Sequence, residues 1–87
     1  KNQHSNSMYL RFEVKDKPGV LSSITKIFAK NKISIKNLIQ KPNKKYKKAS
    51  IIIITHKNLE NNYNNLISNL YKNKFILTKP TYIRIEK

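Results

Sequence analysis

The only glycine of the chain, Gly19, separates a strand-like pattern from a helix-like pattern. The residues before it alternate between apolar and polar, which predicts a half-buried strand; its apolar members are Met8, Leu10, Phe12 and Val14. The apolar residues after it recur at helical spacing, which predicts an amphipathic helix from Gly19 to about Lys30. A single glycine also excludes a glycine-rich phosphate loop.

Three further strands and a second helix follow along the chain. The patterns predict a strand over residues 33–40 and another over residues 49–55, which contains four consecutive isoleucines. Apolar residues at helical spacing predict a helix from about Leu59 to residues 72–74, with Asn58 as its N-cap. Alternation returns over residues 81–86. Residues 1–7 are polar without periodicity, so we expect a linker or disordered segment before one domain over residues 8–87.

This order of elements predicts the fold class: an α+β, ferredoxin-like βαββαβ sandwich. Right-handed crossovers put both helices on one face of a four-stranded antiparallel sheet with spatial order 4-1-3-2. The strand over residues 33–40 then lies at an edge, where it can pair with a second copy.

Composition narrows the possible functions of these 87 residues, which carry a formal net charge of +15. The chain contains 17 Lys, 12 Asn and 13 Ile, all with AT-rich codons. Compositional bias therefore explains the charge better than a nucleic-acid site does, and we expect no specific nucleic-acid partner. The chain has no Cys, only 4 acidic residues and 2 His, so we expect neither catalytic residues nor a metal site. No apolar run is long enough for a membrane helix, and a fragment of a longer cytoplasmic protein fits best.

The strand-to-helix junction over residues 16–21 is the first candidate site. A helix N-terminus presents free N–H groups that can hold a carboxylate, and Asp16 could meet an ammonium group. The junction is thus complementary to a zwitterionic amino acid. The alternative is that Asp16 only caps the helix and Pro18-Gly19 only forms the turn.

The start of the predicted edge strand is the second candidate. If two copies pair edge to edge, the Ser34 hydroxyl of one copy could complete a ligand shell at the Asp16 junction of the other. Gln40 is a weaker candidate of the same kind. Alternatively, Ser34 is an outward polar residue of an alternating strand.

Several of these segments together resemble a known family. Residues 9–21, which end in Asp16-Lys17-Pro18-Gly19-Val20-Leu21, resemble the opening of an ACT domain. The segments Ile33-Ser34-Ile35, Ile39-Gln40-Lys41, Thr55-His56 and Ile83-Arg84-Ile85-Glu86 resemble the C-terminal ACT domain of homoserine dehydrogenases. Two departures are Lys32, where the family often has Gly, and the very basic segment over residues 44–48.

The resemblance implies an allosteric regulatory domain, not a catalytic one. Its expected partners are L-threonine or another small amino acid, the catalytic domains of the parent enzyme, and a second copy bound through residues 33–40. By analogy, residues 16–21 form the effector loop and Ser34 completes the site. The NAD(P) cofactor of such an oxidoreductase would bind an upstream domain.

Alternative functions on the same fold have less support. An RNA-recognition motif needs aromatic residues on both central strands, and residues 48–55 contain none, although Tyr9 and Phe12 lie on the first strand. An acylphosphatase-like enzyme needs an arginine at an anion-binding loop, but Arg11 and Arg84 both lie within strands. A metal carrier on this fold lacks cysteine.

Overall fold

A computed structural model describes residues 5–85 of the chain. Five strands and two helices follow one another in these residues: β1 (Ser5–Lys15), α1 (Val20–Lys30), β2 (Ile35–Asn43), β3 (Lys48–Thr55), β4 (Asn58–Leu59), α2 (Glu60–Tyr71) and β5 (Thr81–Ile85). His4 and Glu86, together with the rest of the expected linker before Ser5, lie outside the described residues. Apart from the short β4, this is the predicted βαββαβ order.

The sheet has the predicted strand order. β2 pairs with β3, β3 pairs with β1, and β1 pairs with β5, so that β2 forms one edge. All these pairs are antiparallel. The two-residue strand β4 pairs with Ser5 and Asn6, which places residues 5–7 in β1 instead of the expected linker. The sequence pattern missed this extension because these residues are polar and pair through their backbone.

One face of the sheet packs against both helices. Alternate residues of β1 and β3 are buried there with apolar residues of α1 and α2; the core comprises Met8, Leu10, Phe12, Val14, Val20, Ile24, Phe28, Ile33, Ala49, Ile51, Ile53, Tyr63, Leu66, Ile67 and Leu70. The isoleucine run divides between faces, because Ile51 and Ile53 are buried while Ile52 and Ile54 are half-buried on the other side.

One helix end agrees with its predicted position and another differs. Helix α1 ends at Lys30 as predicted; Asn31 is its C-cap with φ −94°, and Lys32 follows in the left-handed region with φ 61°. The side-chain amide of Asn31 donates to the carbonyl of Ile27 at 2.9 Å. The N-cap of α2 is Leu59, not Asn58, because Asn58 is drawn into β4 and its Oδ1 accepts from the backbone N–H of Leu59 at 2.8 Å.

Strand β2 is shifted relative to its predicted range. It begins at Ile35 and runs to Asn43, so Ile33 and Ser34 precede it and Pro42 belongs to it. Ile33 turns into the core, where it is 3% exposed. A proline is tolerated here because β2 has a free edge.

Candidate functional site

The junction between β1 and α1 is a left-handed turn that ends at Gly19. Gly19 has φ 87° and is the N-cap of α1, and no side chain makes a capping hydrogen bond there. A side chain at this φ would be strained, which explains glycine at this position. The alternative that Asp16 caps the helix is therefore wrong, because the Pro18-Gly19 turn moves the helix start to Val20.

Two backbone N–H groups at the start of α1 are left available. The first bond between α-helical turns is donated by Ser23 to the carbonyl of Gly19 at 3.0 Å, and Val20 N–H donates to Lys17 at 3.3 Å. Pro18 has no N–H. The amides of Leu21 and Ser22 therefore precede the intrahelical ladder, and their N–H groups can donate hydrogen bonds to a ligand carboxylate. The predicted effector residues included Leu21 but not Ser22. Ser22 could have been found by counting helix positions from Gly19 as the N-cap.

The Asp16 carboxylate is exposed and has no hydrogen-bond or ion-pair partner among residues 5–85. In a chain with a formal net charge of +15, an acidic group without a lysine partner is unusual. Its negative charge lies in the same loop that leads to the positive end of the α1 dipole. The loop thus presents both signs of charge that a zwitterion requires.

Backbone hydrogen bonds hold this loop from two sides. Asp16 N–H donates to the carbonyl of Lys47 in the β2–β3 hairpin at 2.9 Å, and Lys15 N–H donates to the carbonyl of Phe75 at 3.0 Å. The Lys17 ammonium lies 5.6 Å from the centre of the Phe75 ring, within cation–π range. The loop is therefore fixed by the hairpin and by the connection between α2 and β5.

The loop opens onto a cavity of about 210 Å³. Its walls include all six predicted effector residues and Gln40; the other lining residues are Val14, Lys15, Ser22, Ile24 and Ile51. A Cβ on Gly19 would meet no atom within 4 Å, so the space over this residue is open. The volume lies below the roughly 300–1,000 Å³ typical for drug-sized ligands, which favours a smaller molecule.

Ser34 does not line this cavity within one chain. It lies beside a second, open depression of about 480 Å³ near the C-terminal end of α1, which Thr25, Phe28 and Lys32 also line. The loop cavity is at the other end of α1, about 16 Å away for an 11-residue helix. The backbone carbonyl of Ser34 accepts a hydrogen bond from His56 N–H at 2.9 Å, while the Ser34 side chain stays exposed. A contribution of Ser34 to the loop cavity thus requires a second copy.

Residues 5–85 contain no cluster of His, Cys, Asp or Glu that could hold a metal ion. No helix in the described part of the chain has the length and hydropathy to cross a membrane.

The RNA-recognition alternative requires exposed aromatic residues on the central strands. Phe12 of β1 is only 2% exposed and therefore cannot stack a base.

The fold and the loop cavity define a βαββαβ sandwich with a small-molecule-sized pocket at its first strand–helix junction. Residues 8–73 match the family model of the ACT domain, and the chain belongs to this family. This confirms the resemblance noted in the sequence.

Several relatives are homoserine dehydrogenases. The chain is 39% identical over 84 residues to the homoserine dehydrogenase of Methylobacillus glycogenes, covering 95% of this chain and 20% of that protein. It is 37% identical over 78 residues to the enzyme of Helicobacter pylori, covering 90% of this chain and 18% of that protein. The chain thus spans about a fifth of the length of these relatives.

Solved structures agree. A crystal structure of a homoserine dehydrogenase from Thiobacillus denitrificans superposes with a TM-score of 0.83 at 35% identity, covering 95% of this chain and 18% of that one. The ACT domain of a GTP pyrophosphokinase from Chlorobium tepidum superposes with a TM-score of 0.69 at 18% identity, covering 94% of this chain and 100% of that one. The second likeness shows the shared fold.

Proposed function

We propose that the chain is the amino-acid-sensing regulatory domain of a cytoplasmic homoserine dehydrogenase, and that L-threonine or another small amino acid binds at the loop cavity. The observation that carries this proposal is the unpaired Asp16 carboxylate beside the available amides of Leu21 and Ser22, over a cavity of about 210 Å³. The carboxylate of the effector accepts from the two amides, and its ammonium group meets Asp16. The nicotinamide cofactor of the enzyme binds outside these residues.

The cavity walls suggest how the effector side chain is recognised. Val14, Ile24 and Ile51 supply an apolar floor, while Gln40 adds a carboxamide that can both donate and accept hydrogen bonds. This combination suits a side chain with one methyl and one hydroxyl group, as in threonine.

A second copy completes the site through the free edge of β2. Asn43 of β2 pairs with Lys48, and Lys48 pairs with Lys15, so the Asn43 end of β2 lies at the loop end of the sheet. Ile35 lies at the opposite end. If two β2 strands pair antiparallel, the Ile35 end of one copy meets the Asn43 end of the other. Ser34 of the second copy then lies on the same side as the loop cavity of the first.

Effector binding at the interface between two paired β2 strands links ligand binding to the arrangement of the two copies. An effector that contacts both copies stabilises one pairing and shifts attached domains by its differential affinity for that arrangement. This gives the domain a regulatory role in the parent enzyme without any catalytic residue of its own.

Isothermal titration calorimetry tests the proposal with threonine, serine, isoleucine and methionine at millimolar concentration. We expect threonine to bind, and Asp16→Asn to weaken its binding at least about tenfold, because a charge-assisted hydrogen bond is worth roughly 1.5–3 kcal/mol. Glu13→Gln is the matched control, since Glu13 does not line the cavity and pairs with Lys48 at 3.6 Å. No heat from any amino acid, or an equal loss in both variants, contradicts the proposed site.

A further inference from the structure

The hairpin that joins β2 to β3 combines a cluster of lysines with an exposed aromatic ring. Residues 41–48, which we call the basic hairpin, contain five lysines, and residues 41–47 are all exposed. Tyr46 lies in the turn of this hairpin and is 60% exposed. Compositional bias predicts lysines spread over all exposed positions, whereas this cluster surrounds the one aromatic side chain of the hairpin. A large exposed aromatic residue among charges is typical of a contact surface.

The Tyr46 ring organises two of the surrounding ammonium groups. The Lys45 ammonium lies 5.4 Å and the Lys48 ammonium 5.7 Å from the centre of the ring, and both distances are within cation–π range. An ammonium group has three hydrogen-bond donors, which contact with a ring face leaves able to donate. The ring therefore places two positive charges side by side while they can still bind anions.

A carboxylate of the chain itself shows which anion this cluster accepts. Lys48 Nζ lies 3.6 Å from Glu13 Oε1 in an exposed ion pair. Among residues 5–85, the other four lysines of the basic hairpin have no acidic partner. The hairpin thus has one carboxylate at its edge and several lysines available for more.

A cavity of about 190 Å³ lies beside the ring; its lining residues are Glu13, Asn43, Tyr46, Lys48, Ala49 and Ser50. This volume lies below the roughly 300–1,000 Å³ typical for drug-sized ligands, which favours a single side chain of a longer segment. The Asn43 carboxamide and the Ser50 hydroxyl add uncharged hydrogen-bonding groups to its walls. None of these residues lines the cavity over the effector loop, so the two surfaces are separate.

We propose that the basic hairpin docks an acidic segment of another polypeptide. Carboxylates of the segment contact the lysines, and one of its side chains enters the cavity beside Tyr46. Charge complementarity selects this partner, because a second copy of the chain has only 4 acidic residues and a formal net charge of +15. A single-stranded nucleic acid is less suitable, since base stacking needs an open ring face and two ammonium groups already lie over the ring.

Fluorescence anisotropy of a labelled oligoglutamate peptide tests the proposal at about 0.15 M salt, where exposed charges more than about 8 Å apart are largely screened. We expect the double variant Lys44→Gln, Lys45→Gln to bind at least about fivefold more weakly, because each exposed ion pair contributes up to a factor of about five. The matched control is Lys26→Gln, Lys30→Gln, which removes two exposed charges from the half of α1 remote from the effector loop. Its affinity should change by less than about twofold.

Two single substitutions test the roles of the ring and of Glu13. Tyr46→Ala should weaken peptide binding several-fold, because the ammonium groups lose the ring that holds them. Tyr71→Ala is its matched control, since Tyr71 is 54% exposed at the end of α2. Glu13→Gln should tighten binding, because the peptide then no longer competes with Glu13 for Lys48. Circular dichroism establishes that all the variants are folded.

The outcomes separate a built docking surface from attraction by net charge. Equal losses in the hairpin and α1 double variants overturn the proposal, because any lysine would then serve. A single-stranded oligouridylate of the same charge that binds more tightly than the peptide and depends on Tyr46 also overturns it, in favour of a nucleic acid. Neither titration contains threonine, so failure of the effector site would leave these results unchanged.

Discussion

The backbone N–H of Asp16 donates a hydrogen bond to the carbonyl of Lys47, which ties the candidate effector loop to the β2–β3 hairpin at 2.9 Å. Lys47 has φ 54°, in the left-handed region. The carbonyl that receives this bond is therefore oriented by a backbone conformation that most side chains disfavour. The conformation of the hairpin and the position of Asp16 are linked.

Replacing Lys47 with valine should weaken threonine binding. A β-branched residue is strongly disfavoured at this φ, by about 1–2 kcal/mol, so the hairpin will shift and the Asp16 bond will lengthen. Lys45→Val is the matched control because it removes the same charge from the same hairpin at a residue without positive φ. Calorimetry with threonine should show a several-fold loss of affinity for Lys47→Val alone. An equal loss in both variants would instead attribute the effect to charge.

Replacing Lys32 with glycine should stabilise the chain. Lys32 follows α1 with φ 61°, where a side chain costs about 1–2 kcal/mol and glycine costs little. The greater entropy of glycine in the unfolded chain offsets part of this gain, so we expect a rise of up to about 1 kcal/mol in the free energy of unfolding. Urea denaturation measures it.

Lys30→Gly provides the control of opposite sign. Lys30 is the last residue of α1, so glycine there should destabilise by about 0.5–1 kcal/mol. If both substitutions lower the free energy of unfolding, backbone strain at Lys32 does not measurably destabilise the folded chain.

The strand and helix patterns predicted the element order and the position of β2 at the sheet edge. They could do so because the apolar residues that face the core recur at strand spacing over Met8–Val14 and at helical spacing in the helices. The predicted effector residues, Asp16 to Leu21, all line the cavity where β1 leads into α1. The patterns could not predict β4 or the β1 extension at Ser5 and Asn6, since those pairs use backbone groups of polar residues. They also missed Gly19 as the N-cap. Asp16 was expected there because aspartate often caps helices, whereas the actual start of α1 depends on the left-handed φ of Gly19.

Replacing Tyr63 with phenylalanine should destabilise the fold. Met8 N–H donates to Thr55 Oγ1 at 3.0 Å, the Thr55 and Tyr63 hydroxyls lie 2.7 Å apart, and Tyr63 Oη donates to the carbonyl of Asn6 at 2.6 Å. This chain of bonds joins β1, β3 and α2 in a region where Tyr63 is 1% exposed. Loss of the hydroxyl leaves buried polar groups without a partner, which costs about 1–3 kcal/mol.

Tyr71→Phe is the matched control, because Tyr71 is 54% exposed and its hydroxyl can bond to water. Urea denaturation of both variants should show a change below about 0.5 kcal/mol for Tyr71→Phe, as for most surface substitutions. Similar losses in the two variants would show that the network around Thr55 contributes little.

Burial of Tyr63 should also make stability fall in alkaline solution. Burial raises the pKa of its hydroxyl above the ordinary value of 10.0, with the hydrogen bond from Thr55 acting in the opposite direction. The folded chain therefore holds this proton more tightly than the unfolded chain does. The stability that the protonated Tyr63 hydroxyl contributes is fully present below about pH 10, and it is lost as pH rises through the higher pKa of the folded state.

Urea denaturation at intervals across pH 9 to 11 checks this dependence on both sides of the ordinary tyrosine pKa of 10.0. Every other titratable group is the same in the wild-type chain and in Tyr63→Phe, so the difference in stability between the two isolates Tyr63. We expect the stability advantage of the wild-type chain to shrink as pH rises, because only it carries the buried hydroxyl. An advantage that stays constant across this range would mean that burial does not raise the pKa of the Tyr63 hydroxyl in the folded chain.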